Sequence, residues 1–186
     1  RRSGIATYAY DQRGHGNTPQ RGVWPGTDRL VADFMTAVEL VRARHPGVPL
    51  FAAGTSMGGG VVLAAMARPD APKLAGVILE APAVWSRATM PPYYTSALWL
   101  AAHAVPALHM SGRGFERVVT DNKAVLRDLA RDPLVLKGAR VDTLYGVVGL
   151  MDAAFAAANE ALTSYLVRAP LGPQRDRASA WLGRVK

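Results

Sequence analysis

The sequence predicts an α/β fold: a parallel sheet with flanking helices. Three observations carry the prediction. Short, β-rich apolar runs alternate with segments of helical periodicity between Gly4 and Glu80. The second of these runs passes through Gly54-Thr55-Ser56-Met57-Gly58 directly into a helical pattern. The third, Leu74 to Glu80, is apolar nearly throughout, as a strand covered on both faces is. Strands and helices alternating in this way make parallel strands joined by crossover helices.

In chain order, Gly4-Ile5-Ala6-Thr7-Tyr8-Ala9-Tyr10 reads as the first strand, ended by Asp11. Residues 11–26 are punctuated by Gly and Pro and read as a loop. A helix follows from Thr27 to Arg44. Thr27 is its expected cap, Asp28 suits the positive end, and Leu30, Phe34, Val38 and Val41 share one face. His45-Pro46-Gly47 stops it, with His45 as a helix-end histidine. Pro49 to Ala53 is the second strand. Gly59 to Arg68 is the second helix, ending near Pro69.

Beyond Ala81 the alternation stops. Trp85, Met90, Tyr93, Tyr94, Leu98, Trp99 and Leu100 form an apolar, aromatic stretch, and Asp121 to Arg131 is a polar helical segment. Residues 82–146 therefore read as a helical insertion over the end of the sheet, with 1–81 and 147–162 as the core. In that last piece Val148, Met151, Phe155, Ala158 and Leu162 fall on one helical face. Ser164 to Val167 reads as a brief strand and Ala178 to Val185 as a short helix, within an atypical basic tail over 163–186.

Composition sets outer limits. A chain of 186 residues with 49% hydrophobic content suits one domain with a sizeable core. No uninterrupted apolar run reaches the about 18 residues of a membrane span, so none is expected. The opening Arg1-Arg2-Ser3-Gly4 carries no signal-peptide pattern. The absence of cysteine excludes disulfides, thiolate chemistry and cysteine metal sites, and fits a cytoplasmic protein. No cofactor or metal is expected. The net charge is +8, and +4 of it lies between Ser164 and Lys186. With no recognisable module and no basic face interleaved with aromatics, nucleic acid is not an expected partner. Contact with a membrane surface is expected to be peripheral at most.

The chemistry centres on Ser56. In Gly-x-Ser-x-Gly between strand and helix, the turn is tight and strained, so Gly54 and Gly58 are expected to lack bulk for steric reasons. The hydroxyl then stands at the tip of the turn. The N–H of Met57 points to where an oxyanion would form. A serine hydroxyl is a poor nucleophile without a positioned base.

Three motifs, Tyr10-Asp11-Gln12-Arg13-Gly14-His15-Gly16, Gly54-Thr55-Ser56-Met57-Gly58-Gly59 and Glu80-Ala81-Pro82-Ala83, occur in this order. Together they resemble the α/β-hydrolase superfamily, and within it the monoacylglycerol lipase and lysophospholipase group of the serine aminopeptidase (hydrolase 4) type. The resemblance runs from Arg1 to about Leu162. It implies a partial α/β-hydrolase sheet and a helical cap over an acyl-chain pocket. It also implies a Ser-Asp-His triad in that chain order, with Ser56 as nucleophile and Met57 as an oxyanion donor. Trp85, Tyr93, Tyr94 and Trp99 are the cap residues expected to meet substrate.

The remaining triad members do not match. Asp176, after Gly172-Pro173, is the candidate acid, in a setting unlike the family's turn. No histidine follows His109. His15 belongs to a structural loop, which Asp11 and Arg13 are expected to hold to the sheet, and His103 and His109 are expected as satisfied helix histidines. The expectation is a fragment of a serine hydrolase for lipid esters, inactive as it stands because the triad Asp and His are missing. The alternatives are a non-catalytic module binding lipid or another partner, and a general esterase. An incomplete sheet also predicts self-association through its exposed edges.

Overall fold

The computed structural model describes residues 4–111, 121–168 and 172–184. The elements run α1 (Thr27–Arg44), β1 (Phe51–Thr55), α2 (Met57–Met66), β2 (Gly76–Glu80) and a 3-10 turn (Arg87–Thr89). They continue with α3 (Pro92–Ala104), β3 (His109–Ser111), α4 (Lys123–Arg131), β4 (Gly138–Arg140), α5 (Val141–Arg168) and α6 (Pro173–Arg184). Residues 112–120 of the expected insertion and 169–171 and 185–186 of the tail lie outside the described residues.

The centre is a β1–α2–β2 unit. β1 and β2 pair in parallel, from Phe51 opposite Gly76 to Thr55 opposite Glu80. Both strands therefore end at the same level, and the turn at Ser56 leaves from that end. β3 and β4 form a separate antiparallel pair, with His109 opposite Arg140. His109 is thus a strand residue, not a helix residue.

The expected first strand, Gly4 to Tyr10, has no ladder partner among the described residues, and all seven of its residues are exposed. β-propensity marks a segment that fits a sheet but supplies no neighbour to pair with. The segment is tied instead by Tyr8 Oη and His45 Nε2, 2.7 Å apart.

Helix α1 buries Leu30, Val31, Phe34 and Val38 against α2 and β1, while Val41 is half-buried. Its N-cap is Gly26 at φ 96°, not Thr27, and no side chain caps it. α5 begins earlier and ends later than expected and absorbs the segment 164–167, which is helix rather than strand. Its buried stripe is Val141, Thr143, Leu150, Ala154 and Ala157, not the expected Val148, Met151, Phe155, Ala158 and Leu162. The reason is close packing of large side chains against two glycines. Gly60 of α2 lies where an added Cβ would stand 3.4 Å from Leu150 Cγ, and Gly146 of α5 lies under the Trp24 ring. Each glycine leaves room for a larger partner, Leu150 in one case and the Trp24 ring in the other, and these two contacts orient α5.

By length and composition α5 is the one helix among the described residues able to cross a membrane, which the uninterrupted-run criterion did not anticipate. Here it carries core residues: Leu150 and Ala154 are both 0% exposed. α6 starts at Pro173 and packs on α5, with Trp181 and Phe155 rings 5.8 Å apart and Ala178 buried. The C-terminal segment is thus docked helix over 173–184 rather than solvated chain.

Candidate active site

Ser56 stands between the last residue of β1 and the first of α2, exposed, at φ 51° and ψ −118°. A non-glycine residue in this region is strained and holds only where its surroundings over-determine it. The surroundings do so through one neighbouring segment. Ser56 N–H donates to the Glu80 carbonyl at 3.0 Å, and Ala83 N–H donates to the Ser56 carbonyl at 2.8 Å. The same carbonyl accepts the Gly60 N–H at 3.1 Å, which opens the helix ladder. Ala81, inside the clasping segment, is itself at φ 39°. The segment from Glu80 to Ala83, itself strained at Ala81, thus holds Ser56 in place.

The glycines divide the steric work differently from expectation. A Cβ on Gly54 would stand 2.7 Å from backbone atoms of Gly58 and Gly59, so no side chain fits there. A Cβ on Gly58 would meet only Gln12 Nε2, at an ordinary 3.7 Å. The crowded position on the helix side is Gly59, pressed against Pro82.

Met57 is the first residue of α2, where backbone N–H groups lack intrahelical acceptors and the helix dipole is positive. An anion forming near Ser56 Oγ would meet that end of the helix.

The loop before α1 is built around Gly16 and Arg13. Gly16, at φ 55°, sits so close to the Asp11 carboxyl that a Cβ would overlap it, and Asp11 Oδ2 accepts the Asn17 N–H at 2.9 Å. Arg13 Nε and Nη2 donate to the two Asp33 oxygens at 2.8 and 2.9 Å. The loop is therefore held to α1 rather than to the sheet. The Arg13 hydrogen bond lowers the Asp33 pKa, and desolvation opposes it. Tyr10 is exposed as a residue, yet partial desolvation of its hydroxyl, with Asp33 nearby, raises its pKa.

All four histidines are described, and none is hydrogen-bonded to Ser56. His15 Nδ1 lies 3.2 Å from the Arg13 carbonyl, and His45 meets Tyr8. His103 Nδ1 lies 2.7 Å from the Trp99 carbonyl one turn back, with its ring stacked on the Trp99 indole at 4.3 Å. Asp176 lies in the first turn of α6, its N–H donating to Gly172, and among the described residues the element before it is α5, not a strand.

Trp85, Tyr93, Tyr94 and Trp99 are all more than half exposed. Tyr93 and Tyr94 pack on each other at 4.6 Å. Of the four, Trp99 lines an open cavity of about 330 Å³ with Arg87, Thr95, Ser96 and Tyr145. Arg87 fixes that wall: it lies 4.8 Å over the Tyr145 ring and pairs with Asp152 at 3.0 Å. Arg87 and Asp152 carried no signal in the sequence, because they stand 65 positions apart. Thr55 and Glu80 were legible in principle: they end parallel strands at one level and so face each other. Thr55 Oγ1 donates to Glu80 Oε2 at 3.0 Å.

Comparison with known proteins places the chain in a family. The Hydrolase_4 family model, described as "Serine aminopeptidase, S33", matches residues 1–169. The chain is 30% identical over 137 residues to a monoacylglycerol lipase of Mycolicibacterium smegmatis, covering 73% of this chain and 48% of that one. It is 30% identical over 154 residues to the monoglyceride lipase of Rattus norvegicus, covering 79% and 48%. It thus spans about half the length of these relatives. Among solved structures, the monoacylglycerol lipase of Paleococcus ferrophilus matches with TM-score 0.62 and 25% identity, over 82% of this chain and 57% of that one. A soluble variant of the monoglyceride lipase from Saccharomyces cerevisiae, solved with a substrate analog, shares the fold at TM-score 0.60 and 24% identity, over 84% and 52%. The chain belongs to the Hydrolase_4, serine aminopeptidase S33, family and carries its α/β-hydrolase fold.

Proposed function

We propose that Ser56 is the nucleophile of a carboxylic-ester hydrolase of the monoacylglycerol lipase or lysophospholipase type, and that this 186-residue chain turns over little substrate by itself. The observation that carries the first half is the exposed Ser56 at φ 51° between a parallel strand and a helix. Family membership and the lipase names of its relatives support a lipid ester as substrate.

In this reading Ser56 Oγ attacks the ester carbonyl. The Met57 N–H, at the positive end of α2, stabilises the oxyanion. The leaving alcohol departs with a proton and water releases the acyl group. The half-exposed Trp99, beside the open cavity, supports a role for the cap in meeting the substrate. The limiting step is removal of the serine proton. No histidine of the chain is hydrogen-bonded to Ser56, and loss of a triad base costs about 10⁴-fold or more. That same observation favours, as a second reading, a module that binds lipid without chemistry.

The discriminating experiment is labelling by a fluorophosphonate alongside fatty-acid binding. Slow labelling confined to Ser56, and lost in Ser56→Ala, supports the nucleophile. Binding unchanged in Ser56→Ala, with no labelling, supports the module.

A further inference from the structure

We infer that Asp152 is a positioning residue of the serine site: from α5 it anchors the segment that clasps Ser56, and so keeps the hydroxyl in its strained turn. This rests on the reading of Ser56 as nucleophile. The chain after β2 is held at two points. At the near one, Ala83 N–H donates to the Ser56 carbonyl at 2.8 Å and Pro82 lies against Gly59. Those partners are the turn itself and the first residues of α2, so the contacts would travel with Ser56 if its backbone relaxed. At the far point the segment is tied to a different element. Asp152 Oδ1 accepts the Arg87 backbone N–H at 2.6 Å, and Oδ2 pairs with Arg87 Nη1 at 3.0 Å. Arg87 Nη2 donates to the Tyr145 carbonyl at 3.2 Å. One carboxylate thus fixes both the backbone and the side chain of Arg87. Among the described residues, every polar contact between residues 81–91 and α5 is made by Arg87. The Arg87 and Asp152 side chains are 33% and 29% exposed, so water screens the pair only in part. α5 is itself seated on α2, where Gly60 receives Leu150, two residues before Asp152. The contacts therefore close a ring, from Ser56 through Ala83, Arg87, Asp152 and Leu150 back to Gly60. Such a ring over-determines a non-glycine residue at φ 51°.

Two readouts on the whole chain test this. The first is the rate at which a fluorophosphonate modifies Ser56, followed by peptide mass. Ser56 Oγ bonds to phosphorus, its proton passes to the buffer base, and fluoride leaves with the bonding pair. Asp152→Ala should slow this reaction about tenfold, through misplacement of the hydroxyl. Asp152→Asn, whose amide oxygen still accepts the Arg87 N–H, should restore part of the rate. The second readout is strain. In the wild-type background Ser56→Gly should raise the melting temperature by about 2–4 °C. In the Asp152→Ala background that rise should fall to about 1 °C or less, because the turn has already relaxed. A merely structural role lowers the melting temperature of Asp152→Ala but moves neither the labelling rate nor the gain from Ser56→Gly. Should Asp152→Ala fail to fold, Arg87→Met carries the test. It keeps the backbone N–H and the stem, loses the guanidinium, and should slow labelling about threefold.

A labelling rate in Asp152→Ala equal to that of the wild type would overturn the inference about Asp152. So would a gain from Ser56→Gly that is the same with and without Asp152. A wild-type chain whose Ser56 is never labelled would overturn the reading of Ser56 itself, while the melting temperatures still decide whether Asp152 holds the turn.

Discussion

Pro82 lies against Gly59: a Cβ at position 59 would stand 2.8 Å from the Pro82 Cβ and 3.0 Å from its Cα. This contact locks the start of α2 to the segment that clasps Ser56. Gly59→Ala should therefore destabilise the fold by about 1–3 kcal/mol, as overpacking does. Gly58→Ala should be neutral or stabilising, since its Cβ meets only the end of Gln12 and alanine favours helix. Urea unfolding of the pair measures the difference, and equal losses would show that the turn is crowded symmetrically.

Ser56 holds a backbone conformation that glycine adopts without cost. Ser56→Gly should raise stability by about 1 kcal/mol by releasing that strain. The corresponding rise in melting temperature is about 2–4 °C for a chain of this size. No rise would mean that the clasp from Glu80 to Ala83 imposes no net strain.

Leu150 sits at 0% exposure between α5 and α2, opposite Gly60. Leu150→Ala should cost about 2–5 kcal/mol. Leu162→Ala, on a half-buried position of the same helix, should cost clearly less. Chemical denaturation of both variants tests whether the α5 seam runs through Leu150 rather than through the larger side chains.

Asp33 and Asp142 both have pKa values lowered first by hydrogen bonds from Arg13 and Arg140. A lowered folded-state pKa means that the unfolded chain binds more protons in the acid range, so stability rises with pH there. The contribution is complete above the ordinary carboxylate pKa and is lost as pH falls through the lowered one. Urea midpoints measured from pH 7 down to about 3 should fall more steeply for the wild type than for Asp33→Asn. The difference should be small, because Arg13 is 41% exposed. Parallel curves would show that the Arg13–Asp33 pair does not couple to folding.

Phe51, Val77 and Ile78 of the two-stranded sheet are 58%, 41% and 60% exposed. Exposed apolar strands invite pairing with another chain. Sedimentation velocity should show dimers or larger species growing with concentration, and a monomer at all concentrations would contradict self-association through the sheet.

The βαβ unit and the turn at Ser56 were legible because each is local. Strand, glycines, serine and helix follow one another within Leu50 to Met66, and the sterics of the turn are written in that order. What was less legible depends on partners distant in sequence. Gly4 to Tyr10 has strand composition but finds no ladder. The α5 face was misread because helical spacing alone was used to choose it, whereas Gly60 receives Leu150 and Gly146 receives the Trp24 ring, contacts with partners distant in sequence. Arg13 was expected to hold its loop to the sheet and instead meets Asp33, a residue whose helix face turns toward the loop. For Asp176 the sequence supplied a residue type without a place, and the place proved to be a helix start.

The most direct test of the central claim, a strained nucleophile without a base of its own, is hydrolysis of p-nitrophenyl butyrate by the chain and by Ser56→Ala. Turnover by the wild type close to that of Ser56→Ala is the predicted result. Fast turnover that disappears with the Ser56 hydroxyl would contradict it, since a proton acceptor would then have to be at work within these 186 residues.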